Sequence, residues 1–540
     1  MGIKTTSQRC RQLVLAGLAV MGLALAAIPV HADEDNSSGW PSAGQNLGNT
    51  RYQKQGGGIS PLTVGGLTQK WVFTTGGDVS AIPAVDERRV YFPDWAGNLY
   101  AVDRNTGQQV WKVSISAASG SAMDKARVTP VITGNKLLVG TQGGAIVGGG
   151  QGGKMLAFDK NSGALLWSTQ LDSHYAAIVT QSATVYAGRV YVGVASLEEA
   201  LGAIVGFCCN FRGSMLALDV ETGAILWKTY TAPVGYSGSA VWGSAPAIDV
   251  KRRQVYIATG NNYSVPDAVK ACVIAAGTNS NAVKACIATD DYFDSVMALD
   301  LTTGAVRWAT KALTADIWNA ACIGFGNPAF CPDPLVRGPD YDFGQAPALF
   351  TVKSGGTDDE SRDVVGAGQK SGKYWAFNPE TGAVLWVTQA GPGGTGGGLQ
   401  WGSAVDGRRV YTANANSNFL PWPPGGTDTS GVWSGIDAAT GQLLWQHRPS
   451  GGGSTSGPVT TTNGVVFGCS LDRVNGYMYA MDAATGTELW KFSSGGSCLS
   501  GAAISKGQVF WGSGYSNLFG AFGGPNNKVY GFQIPGAHDD

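Results

Sequence analysis

Along most of the chain, apolar and polar residues alternate with a period of two in short runs, such as Arg89-Val90-Tyr91-Phe92 and Gln254-Val255-Tyr256-Ile257. That period predicts short β-strands with one face toward a core. One pattern punctuates the runs seven times: Ala-x-Asp, a short spacer, Thr-Gly, three residues, Trp. It runs from Ala101 to Trp111, Ala157 to Trp167, Ala217 to Trp227, Ala298 to Trp308, Ala376 to Trp386, Gly435 to Trp445 and Ala480 to Trp490. Ser162, Asn378 and Gly435 are its departures. Each copy reads as strand, turn, strand. The Asp side chain caps the turn and Gly tolerates positive φ. Trp then opens the next strand and packs across to a neighbouring unit. With the runs between copies, this makes about four strands per unit, a propeller blade.

The two ends of the chain look complementary. Lys70-Trp71-Val72 resembles the Trp strand without its Ala-x-Asp half, and Val529-Tyr530-Gly531-Phe532 resembles the other half without its Trp. Pairing them completes an eighth blade and removes exposed sheet edges. The expected fold is all-β: an eight-bladed β-propeller closed by its N- and C-terminal strands. An open array of repeats leaves the two matching halves unexplained.

Composition narrows the function. Lys+Arg total 37 and Asp+Glu 38, so the basic face that nucleic acid requires is not expected. With 80 Gly, 17 Trp and 14% charged residues, the chain is rich in aromatics and turns, unlike a disordered one. Lys4, Arg9 and Arg11 precede an apolar run from Leu13 to Ile28, and Val30-His31-Ala32 fits a small-residue cleavage site. Residues 1–32 therefore read as a signal peptide and 33–540 as the mature domain. The apolar run is short for a membrane span and polar residues follow it directly, so an exported protein with no span after cleavage is expected. Cys10 leaves with the leader. The eight other cysteines form an even set that suggests disulfides. Proximity suggests Cys272–Cys286, Cys322–Cys331 and Cys469–Cys498, and leaves the adjacent Cys208 and Cys209. No Cys-x-x-Cys-His occurs, so no covalent haem is expected. Only His174, His447 and His538 follow the leader, which disfavours a His-rich zinc site or a Ser-His-Asp triad. Gly148 to Lys154 imitates a phosphate loop, but Met155 stands where Ser or Thr should bind magnesium and no helix signal follows.

Over essentially the whole mature chain, the repeat resembles the pyrroloquinoline quinone (PQQ)-dependent alcohol dehydrogenases. Non-enzymatic propellers, including outer-membrane assembly scaffolds, share such repeats, so site residues must discriminate. Ser196-Leu197-Glu198-Glu199 and Cys208–Gly213 look most like segments of polyvinyl alcohol dehydrogenases. In these quinoproteins a vicinal disulfide covers one face of the cofactor ring, a role the resemblance gives to Cys208 and Cys209, one blade later than in simpler alcohol dehydrogenases. A ring closed between neighbours departs from preferred disulfide geometry, and such strain usually marks function. Trp242 falls where the family has the Trp beneath the quinone.

Glu198 and Asn261 resemble the family's ligand glutamate and asparagine, oxygen donors that suit a hard cation such as Ca²⁺. Glu199 is the adjacent alternative. The family's His-Asp-x-Trp-Asp run is broken here. Asp316-Ile317-Trp318-Asn319 matches its first part, an insertion with Cys322 and Cys331 follows, and Pro339-Asp340-Tyr341-Asp342-Phe343-Gly344 resumes the match. Asn319 is no base. Asp340 is assigned as catalytic base and metal ligand. Asp342 is the runner-up base or a second metal carboxylate, as in lanthanide-using relatives. Lys370 aligns with the cation at the ortho-quinone oxygens, where positive charge stabilises the reduced ring. Arg127 is carried over for a cofactor carboxylate, Thr180 and Ser196 for hydrogen bonds, and Trp401 for the ring edge.

The resemblance implies a periplasmic enzyme that oxidises an alcohol, secondary or polymeric, by hydride transfer to PQQ. Electrons then pass to a separate acceptor such as cytochrome c. Insertions at Gly202–Asn210, Val265–Asp290 and Cys322–Gly338 are expected around the funnel mouth. The rivals are a cofactor-free scaffold propeller and a quinoprotein that oxidises sugars or aldehydes on the same fold.

Overall fold

In a computed structural model of the protein, the described residues are 1–2, 38–143, 151–205, 208–324, 326–353, 361–516 and 523–536. The chain divides into two compact units, Met1–Ala32 and Asp33–Asp540. The leader expected over 1–32 lies, beyond residue 2, outside the described residues, as does His538. Among the described residues no helix is long and apolar enough to cross a membrane.

The second unit is an eight-bladed propeller. Its blades span residues 84–114, 131–172, 177–230, 247–311, 348–389, 404–447, 460–493 and 503–533. The last blade takes its outer strand from the other end of the chain. Thr68–Thr74 pairs antiparallel with Lys528–Gln533, with Trp71 opposite Gly531. The predicted closure is therefore present, and it leaves the ring without a free end.

The repeat's residues act as their chemistry suggests. Asp103 Oδ1 accepts the amides of Asn105 and Thr106 at 3.0 and 2.8 Å and the Thr106 hydroxyl at 3.0 Å. Asp159, Asp219 and Asp300 cap their turns in the same way. Gly107 follows with φ +70°, and a Cβ there would stand 2.8 Å from the Trp71 ring. Trp71 thus seats on the turn of the next blade and donates Nε1 to Arg104 O at 2.8 Å. Trp111 to Lys160 O, Trp167 to Val220 O and Trp308 to Pro379 O repeat the step. Buried clusters fill the spaces between blades. One joins Tyr256, Val296 and Trp308 of the fourth blade to Val365 and Phe377 of the fifth.

Residues 40–53 form a collar around one end of the axis. The carbonyls of Pro41, Leu47, Gly48, Thr50 and Arg51 accept amides from Ile132, Ile248, Leu349, Val405 and Thr461, on the innermost strands of five blades. Disulfides join Cys272–Cys286, Cys322–Cys331 and Cys469–Cys498, as proximity suggested, and also Cys208–Cys209. Lys154, from the imitation phosphate loop, lies on the strand Gly153–Asp159.

Candidate active site

Loops that leave the inner strands enclose a cavity of about 550 Å³. Sites for small molecules span roughly 300–1,000 Å³. The wall contains Trp242, Asn261, Asp340, Asp342 and Lys370. Arg127, Thr180, Ser196 and Trp401 also line it. Nine residues singled out in sequence, from separate blades, therefore meet at one place.

Local backbone explains how they meet. Gly260 and Asn261 follow the second strand of the fourth blade, and a Cβ on Gly260 would stand 3.0 Å from the Asp342 carboxyl. Glycine there lets the carboxylate reach the Asn261 amide, which donates to Asp342 Oδ1 at 2.8 Å. Asn261 Nδ2 donates to the carbonyls of Trp318 and Asn262. Asp340 has φ +59°, uncommon for a residue other than glycine. Asp316 holds that conformation by accepting the Asp340 and Tyr341 amides at 3.0 and 2.8 Å. Lys370 lies in the turn after Ser361–Gly368, and its amide donates to Asp342 O at 2.8 Å.

The side chains form a connected set. Lys370 Nζ stands 2.7 Å from Asp340 Oδ1 and 3.1 Å from Asp342 Oδ2. Trp242 Nε1 donates to Asp342 Oδ2 at 3.0 Å. The Trp242 ring meets Trp401 edge to face, with centroids 5.3 Å apart. Arg127 lies over the Trp401 ring at 4.5 Å and near the Trp95 and Tyr515 rings. Asp342 is thus engaged through both oxygens. Asp340 Oδ2 has no hydrogen-bond partner among the described residues, which leaves it the freer carboxylate.

Burial and like charge set the electrostatics. Burial holds the Asp340 carboxyl well above the usual range, against the pull of Lys370. Glu199 is pushed up to about 8 by burial and by Asp342 and Asp316, with Lys370 opposing. Asp316 is pushed up to about 6, chiefly by burial. Burial disfavours charge on Lys370, but Asp340 and Asp342 hold its ammonium well above its ordinary value. Carboxylates outnumber cations in this wall. Among the described residues, no three acidic, imidazole or thiolate groups converge around one empty point, and Lys370 itself stands between the two aspartates.

Three expected residues are placed elsewhere. Glu198 opens the helix Glu198–Val205 and turns away from the cavity. Its carboxylate accepts the amides of Asn210 and Phe211 at 3.0 and 2.8 Å and lies 3.4 Å from His174 Nε2. Glu199 stands in the wall instead, with Oε1 buried and lacking a hydrogen-bond partner. One residue of helix phase makes this difference. Cys208 and Cys209 do not line the cavity. Cys209 and Trp242 each pack against one core cluster, and the Cys209 carbonyl accepts the Ser264 hydroxyl. Ser196 Oγ accepts the Glu198 amide at 2.8 Å. Among the described residues of the three insertions, only Ile323 of Cys322–Gly338 reaches the wall. Val265–Asp290 folds as two helices around Val273, Val283 and Ile287. The positioning role of Asp316 was not read from sequence, although its place in the broken motif marked it.

The PQQ_2 family model, described as outer membrane protein assembly factor BamB, matches residues 55–310 and 363–531. The polyvinylalcohol dehydrogenase of Sphingopyxis sp. (strain 113P3) is 29% identical over 92% of this chain and 75% of its own. That of Pseudomonas sp. is 28% identical over 93% of this chain and 77% of its own. Among solved structures, the quinohemoprotein alcohol dehydrogenase ADHIIG from Pseudomonas putida HK5 superposes with a TM-score of 0.69 at 17% identity. The match covers 94% of this chain and 81% of that one, and it shows a shared fold.

Proposed function

The chain belongs to the PQQ_2 family and is an oxidoreductase of the PQQ-dependent alcohol dehydrogenase kind, and we propose that it oxidises secondary or polymeric alcohols in the periplasm. The observation that carries this reading is the set Lys370–Asp340–Asp342 beside Trp242 in one cavity. A scaffold propeller has no use for a buried lysine clamped by two carboxylates, which costs desolvation to assemble. The names of the polyvinylalcohol dehydrogenase relatives support a polymeric substrate.

The residues fit the implied cofactor and metal. Trp242, Trp401 and Trp318 supply flat apolar surface, and Arg127 supplies a cation for a cofactor carboxylate. Glu199, Asn261, Asp340 and Asp342 offer only oxygens, the donor set of a hard cation such as Ca²⁺ or a lanthanide. The buried, unpartnered Glu199 Oε1 and the excess of carboxylate call for such a charge. When bound, PQQ supplies an ortho-quinone carbon that accepts hydride. Asp340 takes the hydroxyl proton of the alcohol on Oδ2, with Asp316 fixing its backbone. Lys370, held by Asp340 and Asp342, would supply positive charge to a bound ring as reduction builds negative charge on it. Electrons leave to a separate acceptor such as cytochrome c.

The test is reconstitution. Purified apoprotein with PQQ and Ca²⁺ is expected to reduce an artificial electron-accepting dye in the presence of a secondary alcohol. Asp340→Asn is expected to lower this turnover by ~10²–10⁴. A protein that takes up neither quinone nor metal is a scaffold, and one that oxidises only sugars or aldehydes has a different substrate.

A further inference from the structure

A second cavity, of about 50 Å³, shares Arg127, Thr180 and Trp401 with the redox cavity. Its other lining residues sit just ahead of the innermost strands of the blades, from Ser80 in the first to Leu499 in the eighth. Seven of the eight blades contribute, so the cavity lies on the propeller axis. The collar at 40–53 closes it with Ala43 and Arg51. We propose that this axial cavity binds a single chloride-sized anion, held by Arg51.

Arg51 is 1% exposed. Its Nη1 donates to the carbonyls of Asn49 and Ser403 at 3.3 and 3.4 Å. Nε and Nη2 are buried and have no acceptor among the described residues. The wall holds two arginines and no acid, and the one titratable group that bears on Arg51 is Tyr374, a neutral phenol. Burial pulls the Arg51 guanidinium down to about 10, still charged at neutral pH. A buried cation without a counter-charge is strongly destabilising. An anion in the cavity removes that penalty and accepts the two idle N–H groups. Thr180 Oγ1, also buried and unpartnered, faces the same space.

The backbone is arranged for this guanidinium. A Cβ on Gly402 would stand 2.3 Å from Arg51 Cζ, so only glycine lets the side chain pass. Arg51, Ser244 and Trp401 line the cavity with φ of +50°, +51° and +63°. Residues other than glycine in that region cluster at functional sites. On the same volume measure a water needs at least ~10–15 Å³, so the cavity has room for a chloride or bromide ion.

The experiment uses the apoprotein without quinone or metal, so its outcome is independent of the redox assignment. Melting is followed in sodium chloride and in sodium gluconate at equal ionic strength. Tm is expected to be higher in chloride by about 2 °C or more, and Arg51→Gln is expected to lose the difference. Crystals soaked in bromide are expected to show an anomalous peak in contact with Arg51 Nε and Nη2. That measurement stands even if R51Q fails to fold. An axial cavity holding only water in bromide, or a chloride effect that survives in R51Q, overturns the proposal.

Discussion

Replacing Lys370 with Met removes the cation between Asp340 and Asp342 while keeping most of its volume. Lys370 is 6% exposed and its contacts are 2.7 and 3.1 Å long. Removing one partner of a buried ion pair costs ~3–5 kcal/mol, because the charge left behind stays desolvated. The variant has one escape, which is to protonate Asp340. Burial already raises that carboxyl and Lys370 opposes the rise, so the K370M substitution raises it further. A carboxyl whose folded value exceeds its unfolded value lends stability that is full at low pH and is lost as pH rises through the folded value. The loss in K370M is therefore expected to be largest near pH ~8 and to shrink toward pH ~5. Urea denaturation of metal-free wild type and variant at both pH values measures it. Adding D340N to K370M is expected to restore most of the loss at the higher pH. A loss that is equal at both pH values and untouched by D340N refutes a charged cluster at this site.

Three further outcomes follow from particular contacts. D340N in the reconstituted enzyme is expected to lower kcat by ~10²–10⁴, the range supplied by general acid–base groups, while the quinone-induced rise in Tm persists. Loss of both would make Asp340 a binding residue only. Gly223 has φ +73° and a Cβ there would lie 2.6 Å from the Trp167 ring, so G223A is expected to cost ~2–4 kcal/mol from left-handed strain plus crowding. A Tm equal to wild type would contradict the docking role of the turn. Asp291, fully buried and pushed up to about 6 by burial, makes the wild type lose stability as pH rises from about 4 to 6. D291N is expected to flatten that segment of the stability profile by up to ~3 kcal/mol, and an unchanged profile would place the titration elsewhere.

The architecture was legible because each blade writes its own turn: the Asp cap, the Gly under the indole and the Trp are local, and their spacing survives in a single sequence. Ring closure was legible for the same reason, since Trp71 and Gly531 are two halves of one unit. The site was legible where a residue lies just after the second strand of a blade, as Asn261 and Lys370 do. It was not legible where helix phase decides. Glu198 and Glu199 are neighbours, and only the first turn of the helix determines which faces the cavity. The placement of Cys208 and Cys209 depends on the path of an inserted segment, which no periodicity encodes. Arg51 carried no signal at all, because nothing in a linear sequence shows that the collar crosses the axis of eight distant blades.

The proposed function requires that this cavity hold a redox ring served by Asp340. The most direct measurement is the absorbance of the Ca²⁺-loaded protein titrated with PQQ and then given a secondary alcohol. One equivalent of quinone per chain, reduced on addition of the alcohol in wild type and left oxidised in D340N, is the predicted result. A quinone that stays free in solution, or one reduced equally well in D340N, would contradict it.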